Sequence, residues 1–212
     1  MWIKDMGKAF SSTYPKDNSG EFSSQLQKII AKSHLETSKH NSWVNKFTAH
    51  QVRNICPSHV IDIGCGDGFY GKLCKYVLGA DVTVTGVDAN PKWVDHCRGL
   101  GEYSEVMHGC VIELLPKLQG ELVIAGDVLE HLDDSDMKKV LRHLCLSFEH
   151  IIINSPLGFQ PQEHEDTWEI HRCGLDRTTF EEYHVLEYNE SSDMEHQMFN
   201  ILIQGTYNAN DE

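Results

Sequence analysis

The stretch VIDIGCGDGFYG, Val60–Gly71, decides how the rest of the chain is read. Val60–Ile63 is a short apolar run carrying a single acid, Asp62, the pattern of a strand buried on both faces. Four glycines, Gly64, Gly66, Gly68 and Gly71, follow within eight positions, and a helical pattern then runs to Gly79. A strand, a glycine-rich turn and a helix make a ligand-binding turn, because glycine lets the backbone bend tightly and approach a ligand closely. Two kinds of cofactor fit at this point. Gly66-x-Gly68-x-x-Gly71 satisfies the G-x-G-x-x-G pattern of a dinucleotide turn, and Asp88 ends the next strand, where a ribose-binding acid belongs.

Outward from this turn the chain alternates. HVIDIG predicts a first strand, GFYGKLCKYVLG a helix, and DVTVTGVDAN a second strand rich in β-branched residues. Pro91 opens the short helix PKWVDHCRGL, YSEVMHGC makes a third strand, VIELLPKL a helical turn and GELVIAGDV a fourth strand. SDMKKVLRHLCLSF is an amphipathic helix with Ser135 as expected N-cap, and HIIINSP is the fifth strand. Such alternation predicts a parallel sheet covered on both faces. After an irregular segment and the short helix RTTFEEY, the strands HVLEYNE and EHQMFNILIQG are joined only by a turn, so they must be antiparallel. Before the first strand, SSQLQKIIAKSHLETS and SWVNKFTAHQVRNI predict two helices behind a polar arm over residues 1–22. The organisation expected is an arm and helices over 1–54 that cover the site, a binding domain over 55–212, and a lid at about 156–177.

A different register of the opening stretch resembles a known family. Asp62-x-Gly64-Cys65-Gly66-Asp67-Gly68, with an acid in the strand and glycine at every second position, resembles motif I of the class I S-adenosylmethionine (SAM) methyltransferases. GVDAN places Asp88, Ala89 and Asn90 where that family's acid takes both ribose hydroxyls. AGDVLEHL, Ala125–Leu132, looks like the family's segment after the fourth strand. The motifs span roughly residues 55–155, and the closing antiparallel pair agrees with the family's terminal hairpin.

The resemblance implies a doubly wound, Rossmann-like α/β fold with a seven-stranded, mostly parallel sheet. It implies SAM as cofactor, with Gly109, Cys110 and Val111 near adenine and Asp127 and Val128 on the methionine part. The sequence departs from the family in one place: His108-Gly109-Cys110 stands where Gly-Asp-Ala is common, and a thiol is a poor acceptor for the adenine amino group. The residues agree with this cofactor on their own chemistry. SAM has no phosphate, and no Lys or Arg lies between Val60 and Gly71, while two acids there suit a cation.

Ligands of such sheets bind beyond the carboxyl ends of the strands, where strand order reverses. His131 therefore becomes a substrate-side candidate. The segment PQEHEDTWEIHRCGLD gathers acids, His164 and His171 around Trp168, and resembles a stretch after the fifth strand of some bacterial small-molecule methyltransferases. Methyl transfer needs an aligned nucleophile and, for a hydroxyl, removal of its proton, which histidine performs near neutral pH. His171 is the first candidate for that base and His164 the second. The competing reading is a solvated surface lid anchored by Trp168. A second competing reading has His164 and His171, with nearby carboxylates, hold a divalent metal that binds a catechol-like substrate, but a seven-residue spacing on a loop is not a recognised ligand pattern and no metal is expected.

Composition bounds the partners. The 212 residues, 40% hydrophobic, suffice for one large domain, and seven cysteines without a C-x-x-C pair fit reduced thiols. With no apolar leader or span-length segment, a cytoplasmic protein without membrane contact is expected. Net charge is −14, and residues 160–212 hold 13 Asp and Glu against two Arg. This surface repels phosphate backbones, so a neutral or cationic small molecule, not nucleic acid, is the expected partner. An NAD-linked oxidoreductase and a non-catalytic SAM-fold interaction module are the alternatives.

Overall fold

The computed structural model describes residues 42–162, 164–192 and 197–207, which fall in one compact unit. The arm, the helix expected from Ser24 and Glu163 of the lid lie outside the described residues. Helix α1 is Ser42–Ile55, followed by β1 (His59–Ile63), α2 (Phe69–Leu78), β2 (Thr83–Asp88), α3 (Pro91–Leu100) and β3 (Glu105–His108). Next come α4 (Val111–Leu114), β4 (Gly120–Gly126), α5 (Asp134–Ser147), β5 (Phe148–Pro156), β6 (His184–Ser192) and β7 (Gln197–Gln204). Single 3-10 turns lie at Leu115–Lys117, Leu129–His131, Thr167–Glu169 and Arg177–Phe180.

The strands form one seven-stranded sheet in the order β3-β2-β1-β4-β5-β7-β6, and β7 alone runs against the others. The fold is a Rossmann-like α/β arrangement, as the resemblance implied, and it contains the parallel sheet that the alternation predicted. Strand order reverses between β1 and β4, so the turns after those two strands open side by side, the usual location of a ligand crevice.

Alternate residues of each strand face opposite sides of the sheet. One side, bearing Ile61, Ile63, Val123, Ala125, Ile151, Ile153 and Phe199, packs on Leu114 and on Met137, Leu141 and Leu144 of α5. The other side carries polar residues in its interior: Asp62, Asn154 and Asn200 are each fully buried. Asn154 donates through Nδ2 to the Thr48 hydroxyl of α1 at 3.0 Å and to the Tyr70 hydroxyl of α2 at 2.9 Å. Helix α1 is thus tied into the sheet by buried hydrogen bonds as well as by Phe47 and Val52.

Two local expectations are corrected. Ser135 is not the N-cap of α5; the helix starts at Asp134, and the carbonyl of Asp133 takes the N–H groups of Asp136 and Met137 at 2.9 Å. Asp134 and Asp136 then fill the first turn, where negative charge meets the positive end of the helix dipole. Trp168 does not anchor the lid: it is 48% exposed, and Cys173 and Leu175 are the residues buried in the core.

Candidate active site

The glycine turn is shaped by its neighbours. Gly64 has φ +68, and a Cβ there would lie 2.2 Å from Cγ2 of Val128, so the turn after β4 packs directly onto the turn after β1. Gly71, the third glycine of the dinucleotide reading, is explained without a ligand, since a Cβ would strike the Tyr103 ring at 2.5 Å. That ring supports the turn from beneath: the Tyr103 hydroxyl donates to Asp62 Oδ2 at 2.6 Å and accepts the Gly71 N–H at 3.2 Å. Burial pushes the Asp62 carboxyl up to about 7, against the opposing effect of the Tyr103 hydrogen bond. Its other oxygen, Oδ1, is buried without a partner. Cys65 packs its side chain with Val94, Cys97 and Val106, so its backbone is what it offers the turn.

Asp88 joins the tips of the turn and of β2. Its Oδ2 accepts the Gly66 N–H at 2.9 Å and its Oδ1 the Asn90 N–H at 2.8 Å, leaving a lone pair on each oxygen for hydroxyl donors. Burial raises its pKa, and these two N–H groups oppose the rise. Asn90 caps α3 by accepting the Lys92 N–H, and its Nδ2 donates to Asp166 Oδ2 at 3.0 Å, linking this wall to the lid. Asp67 accepts the Phe69 N–H, and Ala89 offers its carbonyl to the His108 ring. Gly109 holds the next turn to β2 by donating to the Asp88 carbonyl at 3.0 Å. Cys110 then stands, half-buried, at the N-cap position of α4, and Val111 is buried.

After β4 the chain turns sharply. Asp127 adopts a left-handed conformation at φ 53, and its N–H donates to the Asn154 carbonyl. Its side chain reaches solvent but is hemmed in by protein, and lost hydration, followed by the Glu169 carboxylate, pushes its carboxyl up to about 6. Glu130 is 1% exposed and accepts the Ser155 hydroxyl at 3.0 Å through Oε2, while Oε1 has no partner. Burial, then the Asp127 charge, holds its carboxyl well above the usual range.

The lid binds back onto this turn. The N–H groups of Arg172 and Cys173 donate to the Glu130 carbonyl, and the Arg172 guanidinium donates to the His131 and Thr167 carbonyls at 2.7 and 3.0 Å. The His131 and His171 rings therefore meet edge to face, with centroids 4.9 Å apart. Burial lowers the His131 pKa, against the raising effect of a hydrogen bond to the Ile170 backbone. His171 donates through Nδ1 to the Gln160 carbonyl at 2.6 Å, which leaves Nε2 as its free acceptor. His164 is exposed and takes the Asp166 N–H on its own Nδ1.

The structure thus joins His131 to His171 across 40 positions, with the buried Glu130 beside them. Tyr103, which holds Asp62 in place, had no motif to announce it, whereas Tyr70 lay inside the opening glycine stretch and Ser155 at the end of the fifth strand, with nothing to mark either as a polar anchor. Glu130 lay inside the quoted AGDVLEHL segment, but its burial has no sequence signal.

Residues 60–148 match the family model of a methyltransferase domain. No curated protein matches the sequence. Among solved structures the chain is similar to the bifunctional kinase-methyltransferase WbdD, at 18% identity and TM-score 0.56, over 83% of this chain and 45% of that one. The chain therefore spans less than half the length of that protein. It is also similar to the N-methyltransferase NodS of Bradyrhizobium japonicum WM9 in complex with S-adenosylhomocysteine, at 14% identity and TM-score 0.59, over 87% of this chain and 98% of that one. A third likeness is to magnesium protoporphyrin IX methyltransferase of Synechocystis PCC 6803, at 16% identity and TM-score 0.57, covering 86% and 94% of the two chains. The match over residues 60–148, which include the glycine turn and its acids, supports an enzyme with a methyltransferase domain, and the S-adenosylhomocysteine bound in a similar structure is consistent with SAM as the cofactor.

Proposed function

We propose that the protein transfers the methyl group of SAM to a hydroxyl or amine of a small neutral or cationic acceptor. In this reading the backbone of Gly64, Cys65, Gly66, Asp67 and Gly68 carries the methionyl and ribose parts, over the buried Asp62. Asp88, with Ala89 and Asn90, takes the ribose hydroxyls; Gly109, Cys110 and Val111 flank adenine, and Asp127 and Val128 meet the methionine end. Carboxyls that crowd this cleft suit a cofactor bearing a sulfonium and an ammonium.

One observation carries the assignment of the acceptor side: the His131 and His171 rings in contact, next to the turn after β4. Nε2 of His171, freed by the Gln160 hydrogen bond, is suited to take a proton from an acceptor, and His131 holds the ring from behind. His164 remains the second candidate for the base, on the outer part of the lid. The acceptors named for the similar structures, an N-methylated substrate for NodS and a porphyrin for the Synechocystis enzyme, differ from each other. The fold therefore leaves the acceptor to the lid.

Thermal shift tests the cofactor: SAM and S-adenosylhomocysteine should raise the melting temperature, and a response to NAD alone would overturn the reading. Release of S-adenosylhomocysteine with a panel of small alcohols, phenols and amines tests turnover. His171→Ala should keep SAM binding and lose turnover at least 100-fold; unchanged turnover would remove His171 from the mechanism.

A further inference from the structure

Glu130, His131 and His171 each offer a ligand atom, and these atoms all lie within 4.8 Å of one another. Two of the residues are adjacent in the turn after β4, and the third arrives from the lid. Three details distinguish this cluster from a crowded corner. Oε1 of Glu130 is buried with no hydrogen-bond partner, although the residue is 1% exposed. Nδ1 of His131 is likewise buried and unpartnered. The ring of His171 is fixed through Nδ1 by the Gln160 carbonyl, the type of outer contact that orients a metal-binding imidazole and leaves its other nitrogen as ligand. An unpaired buried carboxylate oxygen is costly, and here it stands beside two imidazoles, one with an unpartnered Nδ1 and the other with Nε2 left free.

We propose that Glu130, His131 and His171 hold a divalent transition-metal cation, of the Zn²⁺ or Mn²⁺ type, whose open positions take the oxygen of the methyl acceptor. Two imidazoles and one carboxylate form a donor set suited to such ions, and three protein ligands leave room for a further one. Ligands bound at about 2.1 Å in a tetrahedral set stand about 3.4 Å apart, so side chains whose ligand atoms lie within 4.8 Å need to close by at most about 1.5 Å. The spacing of His164 and His171 along the loop predicted no metal, and indeed His164 is not in the set. The partners come instead from the turn after β4.

The inference rests on the methyltransferase reading and sharpens it, because an oxygen ligand makes the acceptor a hydroxyl. The cation lowers the pKa of that hydroxyl, whose proton passes to solvent. An oxygen lone pair forms the bond to the methyl carbon, and the electron pair of the breaking C–S bond returns to sulfur, leaving S-adenosylhomocysteine. No oxidation state changes. With the ion bound, the proton-removing role given above to His171 passes to the cation that His171 and His131 hold, and without it His171 keeps that role.

Chelator-treated full-length protein, titrated calorimetrically with Zn²⁺ alone and with Mn²⁺ alone, tests this without any acceptor. One equivalent of at least one of these ions should bind, and Glu130→Gln and His171→Ala should each weaken it at least 30-fold. SAM titrated into the same metal-free variants should bind within 3-fold of wild type, which also shows that they are folded. No stoichiometric binding of either ion, or binding that neither variant weakens, would overturn the proposal. Loss of SAM binding by the wild-type chain would instead sink the cofactor reading, a separate outcome.

Discussion

The glycine turn after β1 and the segment 157–176 after β5 both pack against the turn after β4, yet they are built in opposite ways. In the turn the working surface is backbone, and side chains serve from below: Tyr103 under Asp62, Val128 against Gly64. In the segment after β5 the fastening is the backbone of Arg172, Cys173 and Gly158 together with the Arg172 guanidinium, and the other polar side chains are presented. A backbone surface binds the constant part of a reaction, the cofactor, and tolerates few changes. A side-chain surface on a fastened loop can change its acceptor while the fold stays intact.

The contrast can be tested by where each variant registers, and the largest effect is expected beneath the turn. The Asp62 carboxyl is raised to about 7 in the folded chain, against about 3.9 when unfolded. Between those values the folded chain keeps a proton that the unfolded chain has lost. The contribution from Asp62 is therefore full below about pH 4, falls as pH rises towards 7 and is gone above it, with an amplitude up to about 4 kcal/mol. Asp62→Asn, which can still accept from Tyr103, should match wild type near pH 4 and exceed it by a few kcal/mol at pH 8 in denaturant melts. A difference independent of pH would remove Asp62 from the account.

Next in size is Gly64→Ala, which adds a clash with Val128 to a left-handed backbone and should cost about 3 kcal/mol, with at least a 10-fold loss in SAM affinity. The double variant with Val128→Ala should recover the steric part and leave about 1 kcal/mol, as measured by chemical denaturation. If it recovers nothing, the two turns are not in contact as described.

Arg172→Ala acts on the other region. It removes two hydrogen bonds from the lid to carbonyls, an effect of about 1 kcal/mol at this exposed position. Amide exchange over residues 157–176 should speed up roughly 5-fold while the glycine turn keeps its protection. Equal loosening of both would merge the two regions into one. The smallest effect belongs to Cys110→Asp, which supplies an acceptor for adenine and an N-cap to α4. SAM affinity, by calorimetry, should be unchanged or rise by up to about 10-fold, whereas a large loss would show that Cys110 is not beside adenine.

Much of the fold was legible because it repeats along the chain. Apolar runs, the periodic helices, Pro91 and Gly79 specify strands and helices within a few residues of themselves, and the short β6–β7 connection forces antiparallel pairing. The end of α5 near Asp133 was misread by two residues, since any of several acids and serines there can cap a helix. Of the candidate site, the glycines and Asp88 could be read because a turn with positive φ needs particular residues at particular spacings.

The sequence by itself determined the strand-turn-helix unit at Val60–Gly71 and the layered sheet, because both depend on local backbone geometry and periodicity, and the cofactor class through the resemblance of its motifs to a known family. Only the tertiary structure decided that His131 rather than His164 accompanies His171, that Glu130 is buried with one oxygen unpaired, and that Tyr103 underlies Asp62. Those groupings join residues 25 to 41 positions apart or more, and they depend on which strands lie adjacent and on where the lid is fastened. No spacing along the chain encodes them.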